Sequence, residues 1–322
     1  MKEDYKFLLI LGNGFDLDLG LKTKYTDFMK SAYFQSYIDY NGNGEGIGFS
    51  FSREINLFEY LSKQCELCNW IDIEKELADL ASSKDASGYG DESLNEASEL
   101  EERTFKLLHT ALCDYLNAID YSCIRKDSKA LDVFKIIAKY SSVEILSYNY
   151  TNLYKLESYV GVINSKIDYI HGHINDRSII LGIQDEIDID DSYCFMIKSF
   201  SPHYKSHNVR AKLLNADEII FFGHSLGSTD YHYFQDLFKR QANAETANPN
   251  LILRIFTFDE SARRDILIQL RRMNNNRTDM LYDLCDFGVY RAGVSDDNDK
   301  IYAYLEQLEM RLENYYGIKY IL

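Results

Sequence analysis

Four short polar segments of the chain carry side chains that are able to do chemistry, and each follows an apolar run. The first segment, GNGFD at residues 12–16, comes directly after the apolar residues Phe7–Leu11. A buried strand that ends in a Gly-x-Gly turn before a helix brings backbone N–H groups up to a phosphate. The segment therefore predicts a nucleotide site, and its contact residues would be Gly12, Asn13, Gly14 and Asp16.

The glycine turn matches neither of the two common nucleotide motifs. Leu17 stands where the G-x-G-x-x-G fingerprint has its third glycine, and no P-loop lysine follows. A helical pattern resumes only after Lys22. Taken alone, the segment fits a ligand site or a tight turn in which Asn13 and Asp16 satisfy local backbone groups.

The second segment, SYNYTN at residues 147–152, ends the strand-like run that begins at Val143. Ligands of doubly wound sheets gather outside the carboxyl ends of the strands. We therefore expect the Asn149 amide to point into the same crevice as the glycine turn. The alternative is a polar cap for the following helix, a role that suits Thr151 or Asn152.

The third segment is His171-Gly172-His173, which follows a predicted strand at residues 167–170. His171 is a candidate general base, because the unperturbed pKa of imidazole lies near neutrality. The alternative is a structural histidine that is bonded to the backbone. Two histidines at i and i+2 have no third ligand at a suitable spacing, so we expect no metal site.

The fourth segment, GHSLG at residues 223–227, matches the G-x-S-x-G nucleophile elbow of lipase-like hydrolases. Those enzymes place their catalytic histidine well after the serine and after an acidic residue. His232 is the last histidine of this chain and lies only seven residues beyond Ser225. We therefore expect Ser225 to offer its hydroxyl and backbone N–H to a ligand at a helix N-terminus instead.

Composition narrows the classes of partner. The 322 residues carry a net charge of −16, which opposes nucleic acid as the main partner. The basic pairs at 263–264 and 271–272 fit a solvated helix face. Cys65 and Cys68 form a single C-x-x-C pair, which predicts reduced thiols rather than structural zinc. No run approaches the ~20 apolar residues of a membrane span, so we expect no membrane partner and a cytoplasmic location.

Strand-like and helix-like segments alternate over most of the chain. Strands are predicted at 7–11, 143–148, 167–170, 179–181, 218–222 and 251–257, and helices at 230–242, 261–273 (with Ser261 as N-cap) and 299–315. This alternation predicts an α/β fold, a mostly parallel Rossmann-like sheet with helices on both faces. Residues 41–140 read as a helical insertion into a domain formed by 1–40 and 141–322, with an exposed loop at 41–48.

Taken in order, the four segments resemble those of the sirtuin-like NAD-binding superfamily. The glycine turn of sirtuins matches residues 12–16, and their second turn matches 19–22. The asparagine strand end of sirtuins matches residues 147–151. Their His-Gly pair matches 171–172, and their Gly-Thr-Ser-Leu loop matches 223–226. The chain looks still more like the AbiH family of bacteriophage abortive-infection proteins. That signature stands here as residues 12–17, 20–21, Thr23, Tyr25 and Phe28, and residues 69–74, 149–151 and 223–226 also look like that family.

The resemblance implies an anti-phage NAD glycohydrolase that releases nicotinamide, with NAD as substrate and no metal. Asn149 would orient the ribose and a water molecule, and His171 would be the base. The remaining contacts implied are pyrophosphate at Gly12, Asn13 and Gly14, a ribose hydroxyl at Asp16, and the ribose or adenine side at Gly223, Ser225 and Asp230.

Two departures from the sirtuin pattern bear on this expectation. Cys194 is the one cysteine between His171 and Gly223, so the four-cysteine zinc module and acetyl-lysine recognition are not expected. Thr151 also replaces the sirtuin aspartate. The alternative is a non-catalytic sensor of NAD or ADP-ribose, or an assembly module. The expected partners are a small-molecule nucleotide and either further copies of the chain or a defence protein.

Overall fold

The computed structural model describes residues 5–38, 40, 56–67, 72–85, 91–161, 166–227 and 230–317. The predicted exposed loop at 41–48 and residues 69–71 of the family-like signature lie outside these ranges. Within the described part of the chain, no helix is both long and apolar enough to cross a membrane.

Six parallel strands form one sheet in the order β3-β2-β1-β4-β5-β6. The strands are β1 (Phe7–Leu11), β2 (Glu144–Ser147), β3 (Lys166–Tyr169), β4 (Glu218–Phe222), β5 (Ile252–Thr257) and β6 (Asp286–Arg291). The chain returns to the middle of the sheet after β3, so β1 and β4 are neighbours at the point where the strand order reverses. In open α/β sheets, ligands bind outside the carboxyl ends of the strands at such a point.

Thirteen α-helices are present among the described residues. They are α1 (Asn13–Asp18), α2 (Tyr25–Met29), α3 (Ala32–Gln35), α4 (Leu57–Leu67), α5 (Ile73–Asp85), α6 (Asp91–Asn117), α7 (Lys129–Ile137), α8 (Leu153–Val160), α9 (Val209–Leu214), α10 (Tyr231–Gln241), α11 (Glu260–Met273), α12 (Asp279–Leu284) and α13 (Asn298–Tyr316). Between β1 and β2 all regular structure of the described chain is helical.

Helices cover both faces of the sheet, because successive strand residues point to opposite sides. Phe221 packs its ring against Phe234 of α10. The next residue, Phe222, packs against Phe15 of α1, and Phe15 in turn contacts Phe134 of α7. All five of these rings are fully buried, in agreement with the apolar runs in the sequence. The predicted Rossmann-like α/β class is confirmed.

Three local predictions were wrong. Residues 179–181 form no strand; they are irregular, and the Ile180 N–H donates to the carbonyl of His171. α11 begins one residue earlier than expected, and its N-cap is Asp259 rather than Ser261. The Asp259 carboxylate accepts from the N–H of Ala262, which is the bond that a cap must make. β6 was not predicted, although Phe287 and Val289 alternate with less apolar neighbours.

The chain divides into two compact units. The first consists of Met1–Leu21, Asp120–Ile170 and Ser206–Leu322, and it contains all six strands. The second consists of Lys22–Ile119 and His171–Lys205, and its described regular structure is helical. The boundaries that we predicted at residues 40 and 140 stay a prediction.

Candidate functional site

The glycine turn after β1 packs directly against the loop after β4. A Cβ on Gly14 would lie 2.6 Å from the Cα of Gly223, and one on Gly12 would lie 2.4 Å from the Cα of His224. Gly223 itself has a φ of 64°, which favours glycine. Backbone therefore meets backbone at the switch point of the sheet, and any larger side chain would push the two loops apart.

Two N–H groups of this turn already have protein partners. The Gly12 N–H donates to the Phe222 carbonyl at 3.0 Å, and the Gly14 N–H donates to the Gly223 carbonyl at 2.9 Å. A phosphate bound by these amides would have to replace both bonds. The close approach of the loops accounts for the glycines without a ligand, so their contact with pyrophosphate stays a prediction.

Asn149 lies where β2 ends and reaches across to the end of β1. Its side-chain Nδ2 donates to the Gly12 carbonyl at 3.0 Å, and the residue is 6% exposed. Its backbone is fixed by Ser147, whose Oγ accepts from the Asn149 N–H and donates to the Asn149 carbonyl. The structure thus brings Asn149 to the glycine turn, as the spacing along the chain indicated.

Asp16 lies beneath this contact on α1 and is 1% exposed. Its Oδ2 accepts a hydrogen bond from the Thr151 hydroxyl at 2.9 Å. Burial raises the pKa of the Asp16 carboxyl from 3.8 to about 7, while the nearby Thr151 hydroxyl and Asn149 amide act in the opposite direction. A carboxyl with this pKa exchanges its proton near neutral pH.

The structure separates the two roles that the sequence left open for Thr151 and Asn152. Asn152 is the N-cap of α8, and its side-chain oxygen accepts from the backbone N–H groups of Tyr154 and Lys155. Thr151 instead binds Asp16. Sequence reasoning treated Thr151 as a departure from a family pattern, and its place two residues after Asn149 was the available signal that it belongs to the site.

The loop after β4 is held by His224 rather than by Ser225. The Nδ1 atom of His224 accepts from the Leu226 N–H at 3.0 Å, and its Nε2 lies 3.6 Å from the Asp230 carboxylate. The ring is buried and packs edge-on against Tyr148, with 4.6 Å between ring centroids. Sequence reasoning quoted His224 only as part of a motif and gave it no role.

Ser225 and Asp230 follow β4, and the Asp230 side chain is only 13% exposed. Ser225 is exposed, and its Oγ accepts from the Gly227 N–H at 3.3 Å. Asp230 is the N-cap residue of α10 but its side chain makes no capping bond. Leu226 between them has a φ of 51°, which a residue with a side chain seldom adopts. The loop is therefore a strained connection, which is common at ligand sites.

His171 is the first residue of its segment in the second unit and is buried. The following Gly172 has a φ of 77°, and a Cβ there would lie 1.9 Å from the Ser178 carbonyl oxygen. The Nδ1 atom of His173 accepts a hydrogen bond from the N–H of Asn175, and burial lowers the pKa of its imidazole. Among the described residues, no group of three or more candidate ligands is arranged for a metal ion.

A cavity of about 1440 Å³ lies at the opposite, amino-terminal edge of the sheet. Two of its cations are already engaged in ion pairs. Arg311 lies 2.7 Å from Glu218, and Lys212 lies 2.5 Å from Asp168. Because these charges are neutralised, we place the candidate site at the carboxyl edge, where the buried Oδ1 of Asp16 has no hydrogen-bond partner among the described residues.

The six parallel strands, their order and the polar residues at their carboxyl ends define a Rossmann-like α/β protein. The chain belongs to the AbiH family, whose model, described as "Bacteriophage abortive infection AbiH", matches residues 8–248. The matched region includes every candidate residue from Gly12 to Asp230. No curated protein matches the chain.

Proposed function

We propose that this AbiH protein acts in phage defence by hydrolysing NAD to nicotinamide and ADP-ribose. The observation that carries the proposal is the contact of Asn149 with the glycine turn. It puts an amide, a buried carboxyl and a hydroxyl together where a Rossmann-like sheet binds nucleotides. The order of the four sequence segments, which resembles that of sirtuins, supports NAD as the nucleotide.

Hydrolysis of NAD requires mainly that the protein position the ribose and the attacking water molecule. The bond between ribose C1′ and the pyridinium nitrogen breaks, and its electron pair neutralises the departing nicotinamide. The ribose becomes oxocarbenium-like, a water oxygen bonds to C1′, and the water proton passes to a base. Holding ribose and water in line supplies much of the rate acceleration, and a positioned base supplies more.

The roles in binding and hydrolysing NAD are divided between Asn149, His171 and the loop after β4. Asn149 orients the ribose and water, because its buried amide is fixed on the Gly12 carbonyl. His171 is the base by the resemblance of its His-Gly pair alone. The loop after β4 contacts the far end of the nucleotide through Gly223, Ser225 and Asp230. Neither step requires a metal ion.

The test is to incubate the purified protein with NAD and follow the release of nicotinamide. We expect Asn149→Ala and His171→Ala to lose activity, while Asn215→Ala keeps it. Asn215 is a matched control because its amide also bonds a backbone carbonyl, that of Ala211, but far from this edge. NAD should also fall in infected cells that express the wild type. Unchanged NAD in both settings would reject the proposal.

A non-catalytic nucleotide sensor is the second candidate. It is favoured by Thr151, which stands where sirtuins carry an aspartate and whose hydroxyl is already bound to Asp16. A sensor would bind NAD or ADP-ribose in calorimetry and release no nicotinamide. A fluorophosphonate that labelled Ser225 would instead indicate a serine hydrolase, which the contacts of His224 argue against.

A further inference from the structure

Two carboxylates on α1 are buried, and they differ in their hydrogen bonds. Asp18 Oδ2 accepts from the Ser128 hydroxyl at 2.6 Å and from the Ala130 N–H at 2.8 Å, so it anchors the start of α7. Asp16 Oδ2 accepts from Thr151, but Asp16 Oδ1 has no hydrogen-bond partner within the described part of the chain. A buried polar atom without a partner needs an explanation, because such atoms are rare in folded proteins.

Among the described groups that face the Asp16 carboxylate, none is a cation. Thr151 and Asn149 are neutral, and the Tyr121 hydroxyl, whose pKa is raised by burial and by Asp16, adds no positive charge. Asp18 on the same helix carries the same sign of charge. Leaving a carboxylate oxygen unpaired in this setting is unfavourable, because nothing replaces the hydrogen bonds that water makes to it in the unfolded chain. The unpaired carboxylate oxygen thus belongs to Asp16, at the carboxyl end of β1, and not to Asp18.

We propose, resting on the NAD hydrolase function above, that Asp16 Oδ1 accepts a hydrogen bond from a hydroxyl of the ribose that carries nicotinamide. A ribose diol supplies the missing donor, whereas a phosphate would be repelled by the carboxylate. The ionised carboxylate also favours the positive charge that develops on this ribose when nicotinamide leaves. Asp16 therefore favours binding of the nucleotide with its nicotinamide-bearing ribose, rather than a phosphate, next to this carboxylate.

This role links ligand binding to pH. The hydroxyl bonds to the ionised carboxylate, so binding must remove the proton that Asp16 holds at low pH. Affinity for a ligand with this ribose rises as pH increases through the pKa of the free protein, which is about 7. Between pH 6 and pH 8 the ionised fraction grows from about one tenth to about nine tenths, so affinity rises about tenfold.

The experiment compares ADP-ribose with ADP in calorimetry at pH 6, 7 and 8. ADP-ribose is the reaction product, so binding is measured without turnover, and ADP lacks the second ribose. Between pH 6 and pH 8 we expect the affinity for ADP-ribose to rise about tenfold, and the affinity for ADP to show no such rise. Asp16→Asn should abolish this rise and leave ADP binding unchanged. Asp18→Asn, a matched variant on the same helix, should keep it.

The possible outcomes separate this inference from the proposed function. If the wild type binds neither NAD nor ADP-ribose, both are overturned. If ADP-ribose binds with the same pH dependence in wild type and Asp16→Asn, only the role of Asp16 is overturned. If Asp16→Asn does not fold, carboxyl ¹³C NMR of the wild type decides: an aspartate titrating near pH 7 must shift to lower pH with ADP-ribose, and its failure to shift overturns the inference.

Discussion

The side-chain amide of Asn149 donates to the carbonyl oxygen of Gly12 across 3.0 Å and so joins the end of β2 to the end of β1. The two residues are 137 positions apart in the chain and meet because β1 and β2 pair in parallel, with Leu11 opposite Ser147. The hydrogen bond also fixes the amide plane, which a residue that orients a ribose and a water molecule requires.

Asn149→Ala should lower the rate of nicotinamide release by about 100-fold, because a misplaced substrate loses that much rate. The loss of one buried hydrogen bond should lower the free energy of unfolding by about 1 kcal/mol. Nicotinamide assay and urea unfolding measure the two effects separately. Activity of Asn149→Ala within a few-fold of Asn215→Ala would contradict the positioning role.

Gly14→Ala should be much more destabilising than Gly161→Ala. The Gly14 Cβ would overlap the backbone of Gly223 at 2.6 Å, so the two loops must separate, which should cost more than about 2 kcal/mol. Gly161 has a φ of 76° and open space around it, so alanine there pays only for backbone strain, about 1 kcal/mol. Urea unfolding of the two variants gives the comparison, and equal costs would show that the loops are not in contact.

Asp16→Asn should change how stability depends on pH. Burial raises the pKa of Asp16 from 3.8 to about 7, so the folded chain holds a proton that the unfolded chain has lost. The stabilising contribution of this proton is complete below about pH 4 and is lost as pH rises through 7. The variant carries no such loss, so its stability relative to wild type should increase between pH 4 and pH 8.

The size of this increase is on the order of a few kcal/mol, since each unit of pKa shift corresponds to about 1.4 kcal/mol. Urea unfolding of wild type and Asp16→Asn at a series of pH values measures it. A difference between the two proteins that stays constant from pH 4 to pH 8 would mean that Asp16 does not retain its proton on folding.

Arg311→Ala should destabilise the fold without altering the nucleotide site. Glu218 is fully buried at the start of β4, where Arg311 holds both of its oxygens and Tyr304 donates a further hydrogen bond at 2.7 Å. Removing the guanidinium leaves a buried carboxylate without its counter-charge, which costs about 3–5 kcal/mol.

Tyr304→Phe removes only one hydrogen bond from Glu218 and should cost about 1 kcal/mol. Thermal unfolding ranks the two variants, and affinity for ADP-ribose at a temperature where both are folded should match that of wild type. A changed affinity would mean that the amino-terminal edge of the sheet contributes to binding.

That the candidate residues lie at the ends of strands was predictable, because the local sequence pattern indicates both the buried strands and the polar segments that follow them. The five apolar residues of β1 are buried, and the glycine turn follows them directly. In a parallel sheet all carboxyl ends lie on one edge, so both residues were expected there, and the pairing of β1 with β2 then makes Gly12 and Asn149 neighbours. The prediction of a strand at 179–181 was wrong, because a short apolar run does not distinguish a strand from a buried irregular segment.

The sequence by itself determined the α/β class, the polar segments that end the strands and the membership of a phage-defence family. Only the tertiary structure decided what each polar side chain does. Asp16 and Asp18 are two residues apart and chemically identical, yet Asp18 is satisfied by Ser128 and Ala130 while Asp16 keeps an unpaired oxygen. The reason is physical: hydrogen-bond partners and burial come from residues more than a hundred positions away, which spacing along the chain does not encode.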